Sequence, residues 1–318
     1  MKSDSIPFAG RLFAPAYTTP LHDKASQAML AALRAVHTRS AAGAAGLDGL
    51  DRQRQSQRLL GRLSTPELGF SWEPFSADGL SMAWARPDGA CSPHRAVLYC
   101  HGGGYTSGSL DYARVLASRL AKASGCGVLA FEYRLAPEHP HPAALEDALS
   151  AWDHLMRLGF GARDVALAGD SAGGNLALCL TAALRDAGRQ TPGRLVLYSP
   201  WTDMSCSSAS YERHADDDPI LTREYLESVR AAYAPRGGWQ DPALSPLFAD
   251  LRGFPPVLIQ VGGHEILADD SARLKQRLDE AGVPCVLQCW PQMWHVFVMF
   301  PLPAALEAME QTVLFLSN

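Results

Sequence analysis

The sequence of 318 residues holds no apolar run of about 18 residues, the length that a membrane-crossing helix requires. Its first ten residues also lack the apolar stretch of a secretory leader. Charge is sparse: Asp, Glu, Lys and Arg make up 19%, with a formal net charge of −5. That balance provides no basic excess for nucleic acid or for an anionic membrane surface. The seven cysteines, at 91, 100, 126, 179, 206, 285 and 289, are odd in number and follow no framework spacing. Such a scatter fits reduced thiols rather than a disulfide scaffold, and the expectation is a soluble, cytoplasmic protein. Cys285 and Cys289 lie too far apart on an extended strand to form a bridge or clasp a metal, so they read as small apolar fillers. No internal repeat is visible. The one basic cluster, Arg52, Arg54, Arg58 and Arg62, falls in a glutamine-rich helical segment and reads as a solvated face.

What the sequence does hold is apolar content, 47%, enough for a large core in one big domain or two small ones. Residues 1–65 stand apart from the rest. Ser26 to His37 sets Met29, Leu33 and Val36 on one face of an amphipathic helix. A small-residue connector follows at 40–46, then a second helix near 51–63. Strands begin afterwards, with Phe70 to Ser76 and Leu80 to Arg86 flanking the hairpin turn Ala77-Asp78-Gly79. From Ala96 onward, apolar strands alternate with helices: strands at 96–100, 128–133, 165–168, 195–199, 257–261 and 285–290, and helices near 111–123, 143–158, 176–187, 269–281 and 303–316. This is the pattern of an α/β fold, a mostly parallel sheet covered on both faces, with the leading hairpin as an antiparallel edge. The interval between Ser199 and Val257 is too long for an ordinary loop. It carries Tyr225, Leu226, Val229 and Tyr233 on one helical stripe, and its position beyond the C-terminal ends of the strands predicts a lid.

The most informative stretch is Val165-Ala166-Leu167-Ala168-Gly169-Asp170-Ser171-Ala172-Gly173-Gly174, a strand, a Gly-x-Ser-x-Gly turn and a helix in succession. A turn this sharp leaves no room for side chains at Gly169 and Gly173, and it sets Ser171 over the positive end of a helix. Acyl transfer from such a serine needs oxyanion donors, a base and an acid that orients the base. His101-Gly102-Gly103-Gly104 follows a strand directly, and its amides, Gly102 and Gly103, are expected to act with that of Ala172. His101 itself is expected to be structural. The base belongs near the chain end, after the last strand, where His295 stands. The acid belongs after strand 257–261, where Glu265 competes with Asp269 and Asp270; the two aspartates open a helix and are explained as its N-cap, which favours Glu265.

These motifs, together with Tyr133-Arg134-Leu135-Ala136-Pro137-Glu138-His139-Pro140, Ser199-Pro200-Trp201-Thr202-Asp203 and Ser245-Pro246-Leu247, resemble the hormone-sensitive-lipase-like (bacterial family IV) esterases of the α/β-hydrolase superfamily, over roughly residues 95–300. Many members carry Asp-Pro-Leu where this chain has Glu265-Ile266-Leu267, a variant similar to a subgroup with a glutamate acid. The interval from Glu265 to His295 suits the family's spacing better than that from Asp269. The resemblance implies an α/β-hydrolase core at 66–204 and 241–318, with a cap built from residues 1–65 and 205–240. It further implies a homodimer through the last strand, a small-molecule ester as substrate, and no metal or cofactor. The expected reaction is hydrolysis of short- to medium-chain apolar carboxylic esters by Ser171, Glu265 and His295. Tyr105, Trp201, Met293, Trp294 and Phe297, all beside these motifs, are the expected pocket residues. A lactonase, amidase or acyltransferase would use the same three residues. A non-catalytic receptor on the same scaffold is the reading from another class, and the retention of Ser171, His295 and an acid argues against it.

Overall fold

The computed structural model of the protein describes residues 27, 29–31, 33, 50, 54, 55, 68–89 and 91–317. Most of residues 1–65, including the small-residue connector, lies outside this set. Where the two expected N-terminal helices are described they are helical, and Met29 and Leu33 pack against the core as their spacing predicts.

Eight strands form one sheet in the order β1-β2-β4-β3-β5-β6-β7-β8. They are β1 Phe70–Ala77, β2 Leu80–Pro87, β3 Ser92–Cys100, β4 Cys126–Phe131, β5 Val165–Asp170, β6 Arg194–Tyr198, β7 Val257–Gly262 and β8 Cys285–Trp290. The hairpin closes where its turn chemistry demands. Ala77 pairs with Leu80, and both intervening residues, Asp78 (φ 54°) and Gly79 (φ 79°), adopt the positive φ of a two-residue turn. β2 runs antiparallel to β4, and from β4 to β8 every neighbouring pair is parallel.

The main helices are α1 Leu110–Ser124, α2 Ala143–Arg157, α3 Ala172–Asp186, α4 Ser210–Arg213, α5 Arg223–Tyr233, α6 Ala268–Glu280 and α7 Pro303–Ser317. Local chemistry sets several of their ends. Ser109 caps α1 by accepting from the Tyr112 N–H, Gly125 ends it at φ 64°, and Thr222 caps α5 through the Tyr225 N–H. α1 and α7 bury an apolar cluster on one face of the sheet, and α2, α3 and α6 bury a second on the other. Strands β4, β5 and β7 are buried along their whole length, which is why they read as continuous apolar runs. The parallel register aligns the C-terminal ends of β3, β5, β6, β7 and β8 along one rim: Cys100 pairs with Gly169, Asp170 with Tyr198, and Gly262 with Trp290. All the candidate site loops leave from that rim. Of the two expected filler cysteines, Cys285 is half-buried but Cys289 is exposed, because β8 ends the sheet.

Candidate active site

β5 delivers Ser171 into a backbone conformation, φ 55° and ψ −121°, that side-chain-bearing residues rarely adopt. Two neighbours hold it there: its N–H donates to the Tyr198 carbonyl at 2.9 Å, and its carbonyl accepts from the Trp201 N–H at 3.1 Å. A Cβ on Gly169 would overlap the Gly173 carbonyl, and one on Gly173 would overlap the carbonyls of Cys100 and His101. The end of β3 thus crosses directly over the first turn of α3, bringing the glycine loop beside Ser171.

Asp170 organises that loop. Its carboxylate is fully buried and accepts from Tyr99 Oη at 2.5 Å, Tyr112 Oη at 2.7 Å and the Gly102 N–H at 2.9 Å. This corrects the expected donor set, because the Gly102 amide is already committed to Asp170. The N–H groups of Gly103, Gly104 and Ala172 make no hydrogen bond among the described residues. The Gly103 carbonyl is pinned by the Thr106 N–H at 3.2 Å, the Ser107 N–H at 3.0 Å and Ser107 Oγ at 2.8 Å, which turns its peptide at φ 116°. His101 is structural, as expected. Its ring stacks on Tyr133 at 4.1 Å, Nδ1–H donates to the Gly102 carbonyl at 2.8 Å, and burial pushes its pKa down to about 4.

Glu265 and His295 come from the loops after β7 and β8. Both are buried, with Glu265 Oε1 at 3.6 Å from His295 Nδ1 and neither atom given any other partner. Glu265 Oε2 accepts from Ser199 Oγ at 2.8 Å and from the Gly262 N–H at 3.1 Å. Ser199 Oγ accepts in turn from the Val296 N–H at 3.0 Å, so one hydroxyl ties the acid loop to the base loop. Burial pushes the His295 pKa down, but Glu265, then Asp218 and Asp170, more than offset this and hold it above the usual imidazole value. Asp269 pairs instead with Arg213 at 2.5 Å. The N-cap expectation for the aspartates fails: Leu267 occupies that position, and Asp270 is buried, accepting from the N–H groups of Thr202 and Asp203 and from Ser208 Oγ.

The expected pocket residues are all buried in the two cores. Tyr105 stacks on Tyr233 at 3.8 Å and donates to Asn175 Oδ1 at 2.7 Å. Trp294 packs against Phe300 and Phe297 against Trp290, each at 5.5 Å between ring centroids. Trp201 and Met293 are no more than 5% exposed. All five side chains take part in core packing. The residues that do abut the glycine loop come from α5, where a Cβ on Gly104 would meet Tyr225 Oη and Val229 Cγ2. Arg54 is a correction to the sequence reading. It does not lie on a solvated face but donates to the carbonyls of Thr106 (2.7 Å) and Ala136 (2.9 Å) and pairs with Glu138 (2.8 Å); Arg52, Arg58 and Arg62 lie outside the described residues. The sequence reading noted Ser199 only as the first residue of a family motif, with no role at the site, and missed Asp218. Ser199 had a signal in its strand-end position, whereas Asp218, last of an acidic run of three, had none.

A sequence model of the alpha/beta hydrolase fold matches residues 97–299. An acetyl-hydrolase of Streptomyces hygroscopicus is 38% identical over 282 residues, spanning 88% of this chain and 91% of the relative. An esterase of Acinetobacter venetianus is 35% identical over 232 residues, spanning 71% and 76%. Among solved structures, an esterase from the bacterial hormone-sensitive lipase family superposes with a TM-score of 0.85 at 36% identity, covering 90% of this chain and 96% of that one. With the eight-stranded sheet and the serine turn at its rim, these matches establish that the chain belongs to the α/β-hydrolase family, within its hormone-sensitive-lipase-like esterases.

Proposed function

We propose that the protein is a serine carboxylesterase that hydrolyses short- to medium-chain apolar carboxylic esters through an acyl-enzyme on Ser171. The observation that carries this reading is a serine in a strained turn at the start of α3, crossed by the end of β3, with the amides of Gly103, Gly104 and Ala172 left without an acceptor among the described residues. His295, oriented by Glu265, takes the proton of Ser171 as its Oγ attacks the ester carbonyl. The three amides receive the oxyanion, and the alcohol leaves with the proton from His295. Water, activated by the same imidazole, then attacks the acyl-enzyme and releases the acid. Proximity of Tyr225 and Val229 to Gly104 supports a restricted acyl site, and the acetyl-hydrolase among the relatives agrees with a small acyl group. The excursion at 205–240 serves as the cap of this site, an assignment supported by the packing of α5 on the glycine loop.

The test is hydrolysis of 4-nitrophenyl esters from acetate to dodecanoate, with Ser171→Ala as control. Turnover should peak at the shorter chains and fall on the order of 10⁴- to 10⁶-fold in the variant. Undiminished turnover in folded Ser171→Ala would end this proposal.

A further inference from the structure

A carboxylate outside the expected triad holds the backbone beside Glu265. Asp218 lies in the excursion between β6 and β7 and is only 4% exposed. Its Oδ1 accepts from the N–H groups of Ile220 (2.8 Å) and Leu221 (3.0 Å), and its Oδ2 from the N–H of Ile266 (2.9 Å). Ile266 directly follows Glu265. The carbonyl of the same residue accepts from Ser210 Oγ at 2.6 Å, and that hydroxyl also receives the Asp269 N–H at 3.2 Å. Both polar groups of Ile266 are therefore held by the excursion rather than by the sheet. Among the described residues, no lysine or arginine forms an ion pair with Asp218. Burying a second carboxylate near Glu265 without a cation is costly unless something cationic forms there.

We propose that Asp218 is a positioning residue for the Glu265–His295 pair: it anchors the backbone that aims Glu265 and places a second negative charge toward the imidazolium formed during acyl transfer. This rests on the acyl-enzyme reading above. The charge balance agrees with it. Burial raises the Asp218 pKa to about 6, His295 pulls it down, and Glu265 pushes it up, so the carboxylate and the imidazole sense each other. The carboxylates whose charge acts on His295 are Glu265 from the β7 loop, 3.6 Å away, then Asp218 from the excursion and Asp170 from the end of β5. Behind Asp218, its own N–H donates to the His214 carbonyl, and the His214 ring lies near Asp217 and stacks at 6.2 Å on His264.

Two variants and two readouts test the proposal. Asp218→Asn removes the charge, and Ser210→Ala removes the other tie to Ile266 while all three carboxylates stay. Steady-state hydrolysis of 4-nitrophenyl butyrate from pH 5 to 9 gives kcat and KM, and NMR titration of His295 reports its pKa without any turnover. In Asp218→Asn, kcat is expected to fall roughly 10- to 100-fold with KM changed less than about twofold. Its acid limb and the His295 titration should both move to lower pH, because the imidazolium has lost a neighbouring negative charge. In Ser210→Ala, kcat should fall while the limb stays in place. An unmoved His295 titration in Asp218→Asn overturns the electrostatic part, and wild-type kcat in both variants overturns the positioning part. A wild-type protein with no Ser171-dependent turnover would refute the acyl-enzyme reading instead, and the NMR titration would still decide whether Asp218 acts on His295. If Asp218→Asn does not fold, Asp218→Glu, which retains the charge, should keep the limb where it is, and a displaced limb would overturn the proposal.

Discussion

Five residues other than glycine adopt positive φ in the loops that carry the site: Tyr105 (62°), Ser171 (55°), Ser199 (46°), Gln292 (63°) and Val296 (51°). Such conformations cost on the order of 1–3 kcal/mol each, and a β-branched residue such as Val296 is especially ill-suited to one. Their neighbours hold them in place. Ser199 shows how, since its hydroxyl donates to Glu265 and accepts from the strained Val296 amide. Ser199→Ala would leave the buried Glu265 Oε2 with only the Gly262 N–H and would leave the Val296 N–H without its acceptor. The expected outcome is a loss of about 1–3 kcal/mol in urea denaturation and roughly a tenfold fall in kcat with little change in KM. Wild-type kcat in this variant would show that the acid loop and base loop hold their geometry without the hydroxyl.

Among the secondary-structure elements, the site depends on which segments are pressed together. The β3 end lies on the start of α3, so the glycine loop and the serine turn share one piece of backbone contact, and Tyr225 and Val229 of α5 pack on the same loop at Gly104. Arg54 adds a clamp from the N-terminal segment. Its guanidinium joins the loop after β3, through Thr106, to the loop after β4, through Ala136 and Glu138, and those loops already share the bond from the Ala136 N–H to the Tyr105 carbonyl. Glu138 is more than half exposed, so the ion pair itself contributes little; the two charge-assisted bonds to carbonyls matter more. Arg54→Gln should therefore cost about 1–2 kcal/mol of stability and speed amide hydrogen exchange in the peptide covering 101–110. Unaltered exchange in that peptide would show that the clamp does not restrain the loop.

For the whole molecule, the dependence of stability on pH reports a buried carboxylate that reaches the Arg273 guanidinium only through Ser208 Oγ. Asp270 is fully buried between α6 and the loop after β6, and burial, with Asp203 nearby, pushes its pKa from 3.8 up to about 7. The folded protein therefore binds a proton that the unfolded chain releases across that interval. The resulting stability is complete below about pH 4 and is lost as pH rises through about 7. Asp270→Asn keeps the shape, lets its oxygen accept from Thr202 and Asp203, and carries no charge at any pH. Its Tm relative to the wild type should rise between pH 5 and pH 7 and level off by pH 8; a difference that stays flat throughout would show that Asp270 does not titrate in this window.

The sequence alone determined what local chemistry controls. Alternating apolar runs and helical stripes located all eight strands and the helices from α1 to α7 except the single-turn α4, to within a few residues, because burial on both faces and 3.6-residue periodicity are properties of short windows. The Asp78-Gly79 turn, the serine turn at Ser171 and the structural role of His101 were legible for the same reason. Only the tertiary structure decided which amides remain free for an oxyanion. The Gly102 N–H is captured by Asp170, 68 residues away, because β3 and β5 lie side by side. It also placed Glu265, the acid that the sequence already favoured, 3.6 Å from His295, turned Tyr105, Trp294 and Phe297 into the core, and brought Asp218 to Ile266 across 48 residues. Those outcomes depend on strand order, register and the path of the excursion, which bring distant residues together through packing that no local window of sequence encodes.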